Sequence, residues 1–141
     1  MILYLDTSAL LKLYVEERGT GAVVTLVEQA EEVATARVTY AEARAALARH
    51  QREGALRAAD LRRAVRELER EWGTYNLVDL TDPLVRAAGA LAERHALRGY
   101  DAVHLAAALD LTAVGGTVQF AAFDERLNQA ARREHLTVAD V

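Results

Sequence analysis

Short apolar runs alternate along this chain with longer segments whose apolar residues recur every three or four positions. The first run, Ile2 to Leu5, is continuous and brief, which predicts a buried strand. Thr7 to Val15 then carries Leu10, Leu11 and Tyr14 at helical spacing. Gly19 and Gly21 mark a turn, and a helix over 20–30 places Val23, Val24 and Val27 on one face. Residues 33–35 predict a short strand. Two longer helices are predicted over 38–52 and 56–72, with Gly54 as the break between them. In the second, Leu61, Val65, Leu68 and Trp72 form a single stripe that reads as core-facing. Residues 76–80 predict a third strand. Asp82 and Pro83 read as a helix start, Asp capping and Pro taking the first helical position, and this helix runs to His95. Gly99 punctuates the chain before a helix opened by Asp101. Gly115 and Gly116 turn it into a strand over 118–123, followed by a helix over 124–133 and a last strand over 136–138. Strands alternating with helices predict an α/β fold around a mostly parallel sheet.

Composition narrows the class. With 141 residues, of which 52% are hydrophobic, the chain is long enough to bury a core and reads as one domain spanning 1–141. A single Pro and few Gly leave no linker or low-complexity segment. The absence of Cys excludes disulfides and thiolate zinc sites, and suits a reducing compartment. The N-terminus lacks a basic start, and Asp6 and Lys12 interrupt its apolar run, so it does not read as a signal peptide. No stretch approaches the roughly 20 apolar residues that span a bilayer. A cytoplasmic protein without membrane contact is the expectation. Net charge is −4, from 17 basic and 21 acidic residues. Lys12 is the only lysine, so nearly all the positive charge is arginine, a bias that base composition of a genome also produces.

Four of the acids change the picture. Asp6 ends the first strand, Glu42 lies inside an alanine-rich helix, Asp101 opens a helix, and Asp124 ends the apolar run Phe120-Ala121-Ala122-Phe123. In parallel sheets ligands bind beyond the carboxyl ends of strands, where Asp6 and Asp124 fall. Asp101 sits at a helix start, where amides and the dipole favour anions. Taken singly, Asp6, Asp101 and Asp124 are each explained as helix caps. Glu42 is the informative fourth, because Val38, Thr39, Ala45 and Ala46, its helical neighbours, offer no charge to pair with it. Carboxylates brought together repel unless a cation or proton neutralises them. Mg²⁺ or Mn²⁺ is the usual cation, and such sites act on phosphate. Removing the four acids leaves the remaining charge neutral.

Supporting candidates surround these acids. Thr7 and Ser8 read as helix-start hydroxyls that also support Asp6 or hold a water on the metal. His104 lies three residues after Asp101, on the same helix face, and reads first as a packing residue behind the metal site, since magnesium prefers oxygen, and second as a metal ligand or an acid/base. Arg44 reads first as a surface charge and second as a phosphate contact, and Arg37 and Arg98 are further rim arginines. His50, His95 and His135 read as surface residues near helix ends.

With Asp6, Glu42, Asp101 and Asp124 in that order, the chain resembles the PIN-domain family, and most of all its small stand-alone bacterial members, the VapC toxins. The residues that carry the resemblance are Leu5-Asp6-Thr7-Ser8-Ala9-Leu10, Ala41-Glu42-Ala43-Arg44, Tyr100-Asp101-Ala102-Val103-His104-Leu105 and Ala122-Phe123-Asp124-Glu125-Arg126-Leu127. The resemblance spans essentially the whole chain. It implies a three-layer α/β/α fold with a short, mainly parallel sheet, and an acidic metal site made by the four acids. It implies a ribonuclease cutting single-stranded or looped RNA to 5′-phosphate and 3′-hydroxyl ends, a cognate antitoxin partner and a homodimer. One departure is Ala122, where members often carry Ser or Thr.

The expected mechanism is hydrolysis of the phosphodiester by metal-activated water, with Asp6 and Asp101 as main ligands and Glu42 and Asp124 binding directly or through water. Two rival readings exist. A magnesium phosphatase with Asp6 as nucleophile would want a second Asp two residues later, where Ser8 stands. A non-catalytic scaffold for RNA or protein gains nothing from clustered negative charge beside phosphates.

Overall fold

Alternate residues of a strand point to opposite faces, and in the central runs Ile2–Leu5 and Val118–Ala121 both faces are largely apolar, so these runs are buried from both sides. The computed structural model describes residues 1–141. In chain order its elements are β1 (Ile2–Leu5), α1 (Thr7–Leu11), α2 (Thr20–Gln29), β2 (Glu32–Ala36), α3 (Thr39–Arg52) and α4 (Ala58–Trp72). They continue with β3 (Asn76–Val78), α5 (Asp82–His95), α6 (Gly99–Ala113), β4 (Val118–Ala121), α7 (Glu125–Arg133) and β5 (Thr137–Val138). The strands form one sheet in the order β3-β2-β1-β4-β5, and every pairing is parallel.

Period two divides the core. Tyr4 and Phe120 enter one cluster with Leu84, Leu91, Leu105 and the alanines of α6. Leu3, Leu5 and Ala121 enter the other with Leu10, Val23, Leu47 and Leu68. The sheet therefore lies between α5, α6 and α7 on one side and α1 to α4 on the other, the three-layer arrangement expected. Small residues make α6 central: Ala102, Ala106, Ala107 and Ala108 are all buried, and alanine combines high helix propensity with close approach to the sheet. The Leu61 stripe of α4 also faces inward, with Leu68 fully buried and Leu61, Val65 and Trp72 packed against its cluster.

Several boundaries differ from expectation. The helix after Asp6 stops at Leu11, because Leu13 and Tyr14 tighten into bonds to Leu10 and Leu11. The chain then swings to Gly19, whose φ of 97° and approach of 2.7 Å between an added Cβ and the Phe123 ring leave room only for glycine. The strand at 76–80 closes at Val78, since β3 is an edge paired only with Ala34 to Ala36. The strand at 118–123 closes at Ala121, opposite Leu5, the last residue of β1. The Ala122 carbonyl turns away to accept from Asn128 Nδ2 at 2.9 Å, so Asp124 follows a bend rather than the strand itself. At α5 the cap is Thr81, not Asp82. Thr81 is extended and its hydroxyl accepts from Leu84 N at 3.3 Å, which places Pro83 second in the helix and turns the Asp82 carboxylate out to Arg86.

His95 is also not a surface residue. Its side chain is only 5% exposed and its Nε2 lies 2.7 Å from Glu134 Oε2, joining the end of α5 to the end of α7. Arg94 donates to the same oxygen at 2.9 Å. The hydrogen bond with His95, followed by that from Arg94, holds the Glu134 carboxyl below its ordinary value against partial desolvation. A depressed carboxyl contributes stability above its unfolded pKa, about 4.3, and loses it as pH falls through the folded value. Glu134→Gln should therefore lower the thermal midpoint at pH 7, and the gap to the parent protein should close as pH falls below about 4.3. Thermal denaturation monitored by circular dichroism across pH 3–7 reads this directly, and a gap independent of pH would refute it.

Candidate active site

The carboxyl ends of parallel strands leave a crevice where the helices that follow them begin. A cavity of about 590 Å³ lies at that edge, and Asp6, Glu42, Asp101 and Asp124 all line it. Four separate pieces of chain supply them. Asp6 follows β1, Glu42 lies in the first turn of α3, Asp101 in the first turn of α6, and Asp124 caps α7.

The carboxylates share a pattern: protein groups hold one oxygen of each. Asp6 Oδ1 accepts from Ser8 Oγ at 2.7 Å and from Ala9 N at 2.9 Å. Glu42 Oε1 accepts from Thr7 Oγ1 at 2.6 Å and lies 2.8 Å from His104 Nε2. Asp124 Oδ1 accepts from Leu127 N at 3.0 Å. Asp101 Oδ2 accepts from Arg98 Nε at 3.1 Å, and Arg98 Nη2 stands 3.8 Å from Asp124 Oδ2. The second oxygens of Asp6, Glu42 and Asp101 take no hydrogen bond from the protein, so each remains available to a ligand in the cavity.

Their electrostatics differ. Burial pushes the Asp6 carboxyl up, and the nearby Asp101 charge adds to this, while His104, Ser8 and the Ala9 amide oppose it. Burial also pushes Glu42 up, but the hydrogen bonds with His104 and Thr7 outweigh it and hold Glu42 below its ordinary value. A buried carboxylate beside other acids is stabilised by a cation, and an all-oxygen donor set suits Mg²⁺ or Mn²⁺. The residues present thus fit such an ion in chemistry. No three of the acidic or histidine side chains converge into a closed coordination shell, and the positive charge at Asp101 and Asp124 comes from the Arg98 guanidinium.

The expected supporting residues divide. Ser8 meets Asp6 as expected and also accepts from Phe123 N at 3.0 Å, which ties α1 to the segment after β4. With its hydroxyl held on both sides, Ser8 is no substitute for the second Asp of a phosphatase. Thr7 supports Glu42 rather than Asp6. His104 is only 2% exposed and bonds through both ring nitrogens, to Tyr4 and to Glu42, so it stands behind the site as a packing residue would. Arg44 points away: it donates to Tyr40 Oη at 2.7 Å and borders a groove with Leu61, Arg62, Val65 and Arg66. Two positions onward from Glu42 is more than half a turn around a helix, which carries Arg44 to the far face. Arg37 is paired to Asp79.

Arg49 and Arg52 line the cavity and were missed. Their signal was present, because Glu42, Ala45 or Ala46, Arg49 and Arg52 follow one another at helical spacings of three or four. Tyr4 was missed because its hydroxyl lies inside an apolar strand, where nothing local marks a polar partner.

Residues 3–133 match the PIN domain family. Ribonuclease VapC45 of Mycobacterium tuberculosis is 38% identical over 98% of this chain and 94% of its own length. Among solved structures, Mycobacterium tuberculosis VapC20, described as a sarcin-ricin loop cleaving toxin, superposes with a TM-score of 0.68 at 21% identity, covering 91% of this chain and 94% of that one. VapBC-5 of the same organism, a member of the VapBC family of toxin-antitoxin systems, gives 0.64 at 17% identity over 99% and 98%.

Ser8→Ala removes the donor to Asp6 and leaves the Phe123 amide without its acceptor. It should cost about 1–3 kcal/mol of stability, the usual range for an orphaned polar group, measured by urea denaturation. A midpoint equal to that of the parent protein would show that the tie is idle. The sheet, the crevice at its carboxyl edge and the match along nearly the whole chain agree: this protein belongs to the PIN domain family, among its VapC ribonucleases.

Proposed function

We propose that the protein is a metal-dependent endoribonuclease and the toxin of a VapBC-type toxin–antitoxin pair, with Asp6, Glu42, Asp101 and Asp124 as its acidic metal site. One observation carries the reading: four acids from four elements line a single cavity, and three of them, Asp6, Glu42 and Asp101, keep one oxygen free of protein hydrogen bonds. The 38% identity to a named ribonuclease across nearly the whole chain supports the activity. The description of VapC20 as a toxin cleaving the sarcin-ricin loop points to structured RNA as the substrate class.

Asp6 and Asp101 would be the main ligands of Mg²⁺ or Mn²⁺, with Glu42 and Asp124 binding directly or through water. When bound, the ion supplies activation of an attacking water and stabilises charge at the scissile phosphate. The chain's own groups do the rest. Ser8 and the Ala9 amide orient Asp6, and Thr7 and His104 orient Glu42. Arg49, Arg52 and Arg98 border the cavity and supply guanidinium donors to phosphate oxygens along the RNA backbone. Arg98, bonded to Asp101 and 3.8 Å from Asp124, would be free to turn to substrate once a cation neutralised those acids. The cavity is open to the surface, so the attacking water and the RNA both reach it.

The same reading includes a cognate antitoxin that masks the cavity, a homodimer, and action in the cytoplasm by the whole chain as one unit. No helix is long and apolar enough to cross a membrane.

Cleavage of end-labelled structured RNA by protein freed of any bound partner tests the assignment. Activity should require Mn²⁺ or Mg²⁺, vanish with EDTA, and fall at least about a hundredfold in Asp101→Asn with the thermal midpoint little changed. An Asn variant as active as the parent protein would sink it.

A further inference from the structure

Behind Glu42 lies a polar path that leads back into the core. Tyr4, on the central strand β1, is fully buried. Its ring stacks on Phe120 at 5.6 Å with planes 5° apart, and meets His104 edge-on at 5.9 Å. Its hydroxyl lies 2.8 Å from His104 Nδ1, and His104 Nε2 lies 2.8 Å from Glu42 Oε1. The path ends at the cavity wall.

We propose that Tyr4 and His104 are a positioning pair for Glu42: Tyr4 donates to Nδ1, this fixes His104 as the Nε2–H tautomer, and Nε2–H holds Glu42 Oε1 so that Oε2 faces the cavity. This rests on the assignment of Glu42 to the metal site. The Nε2 direction follows from donor inventory, and the Nδ1 direction is the one a neutral ring takes. An ionised carboxylate only accepts, so Nε2 carries the proton toward Glu42. A neutral imidazole then has an acceptor at Nδ1, and the phenol is the donor that faces it. Thr7 adds a second donor to the same Oε1, leaving that oxygen saturated and Oε2 free. The packing gives the pair its rigidity. Phe120 clamps the Tyr4 ring, α6 carries His104 among buried alanines, and neither ring can rotate without opening the core. A carboxylate in the first turn of a helix otherwise samples several rotamers. The pair removes that freedom before any ligand arrives, and outer partners of this kind typically change metal affinity 10–100-fold.

The test uses the full chain freed of its partner, titrated with Mn²⁺ by calorimetry. Glu42→Gln should weaken binding. His104→Leu should weaken it by about tenfold or more, His104→Gln should restore most of the loss because its amide can donate from the place of Nε2, and Tyr4→Phe should cost a few-fold. The double variant Glu42→Gln with His104→Leu should bind no worse than Glu42→Gln alone, since the histidine acts through the glutamate. A folded His104→Leu variant with full affinity, or losses that add in the double variant, would overturn the pair while leaving the metal site standing. Unchanged affinity in Glu42→Gln would instead remove Glu42 from the site and the pair with it. Two-bond ¹H–¹⁵N spectra of histidine-labelled protein at pH 8 provide a readout free of metal and of folding defects in variants. They should show the Nε2–H tautomer for His104, and the Nδ1–H form or a doubly protonated ring would overturn the proposal.

Discussion

Asp6 places a carboxylate at the end of the central strand, almost wholly removed from water, in a cavity that three other acids also line. Such a group is tolerable only with donors around it and a positive charge nearby. Much of the local architecture meets that need. The Ala9 amide in the first turn of α1 and the Ser8 hydroxyl cover one oxygen, and Arg98 stands across Asp101 and Asp124. On the proposed function, the repulsion among like charges would favour a divalent cation there, because a ligand that neutralises them recovers the electrostatic cost.

The sheet order explains why these groups meet. β1 lies in the middle, flanked by β2 and β4, so the residues following all three strands open onto one edge. Helices α1, α3 and α7 start there, and α6 lays Asp101 and His104 across it from the opposite layer. Each of these helices contributes one acid, and no three of the acids converge. The rigid side of the site is the Asp6 and Glu42 pair, each bound to the core by two donors. The other side, Asp101 and Asp124 beneath the exposed Arg98, is held by surface contacts and is the side more easily rearranged.

Beside the acidic cavity runs a more apolar groove of about 690 Å³ between α5 and α6, bordered by Val85, Gly89, Ala92 and the exposed Tyr100. Glu42, Arg98 and Asp101 form part of its wall as well. A single row of residues therefore separates a charged chamber from an apolar one.

Local chemistry made much of this readable in advance. Continuous apolar runs, helical stripes and turn glycines are short-range signals, and they located all five strands and most helices to within a few residues. The isolation of Glu42 from any charged helical neighbour marked it as unusual, and the structure places it in the cavity. What no local pattern contained was the partner of each group. Thr7 reaches Glu42 across 35 positions, and His104 reaches it across 62. His95 is buried by Glu134 from another helix, although its own helix end looks exposed. Tyr4 gains a role only because α6 crosses β1 at that point. Sequence by itself determined which segments are strands and helices and which acids stand at their ends, because propensity, periodicity and capping act over a few residues. The tertiary structure alone decided which hydroxyl serves which carboxylate, which arginines face the cavity and which histidine lies behind it, because those depend on how parallel strands are ordered and on how closely an alanine-rich helix packs against them.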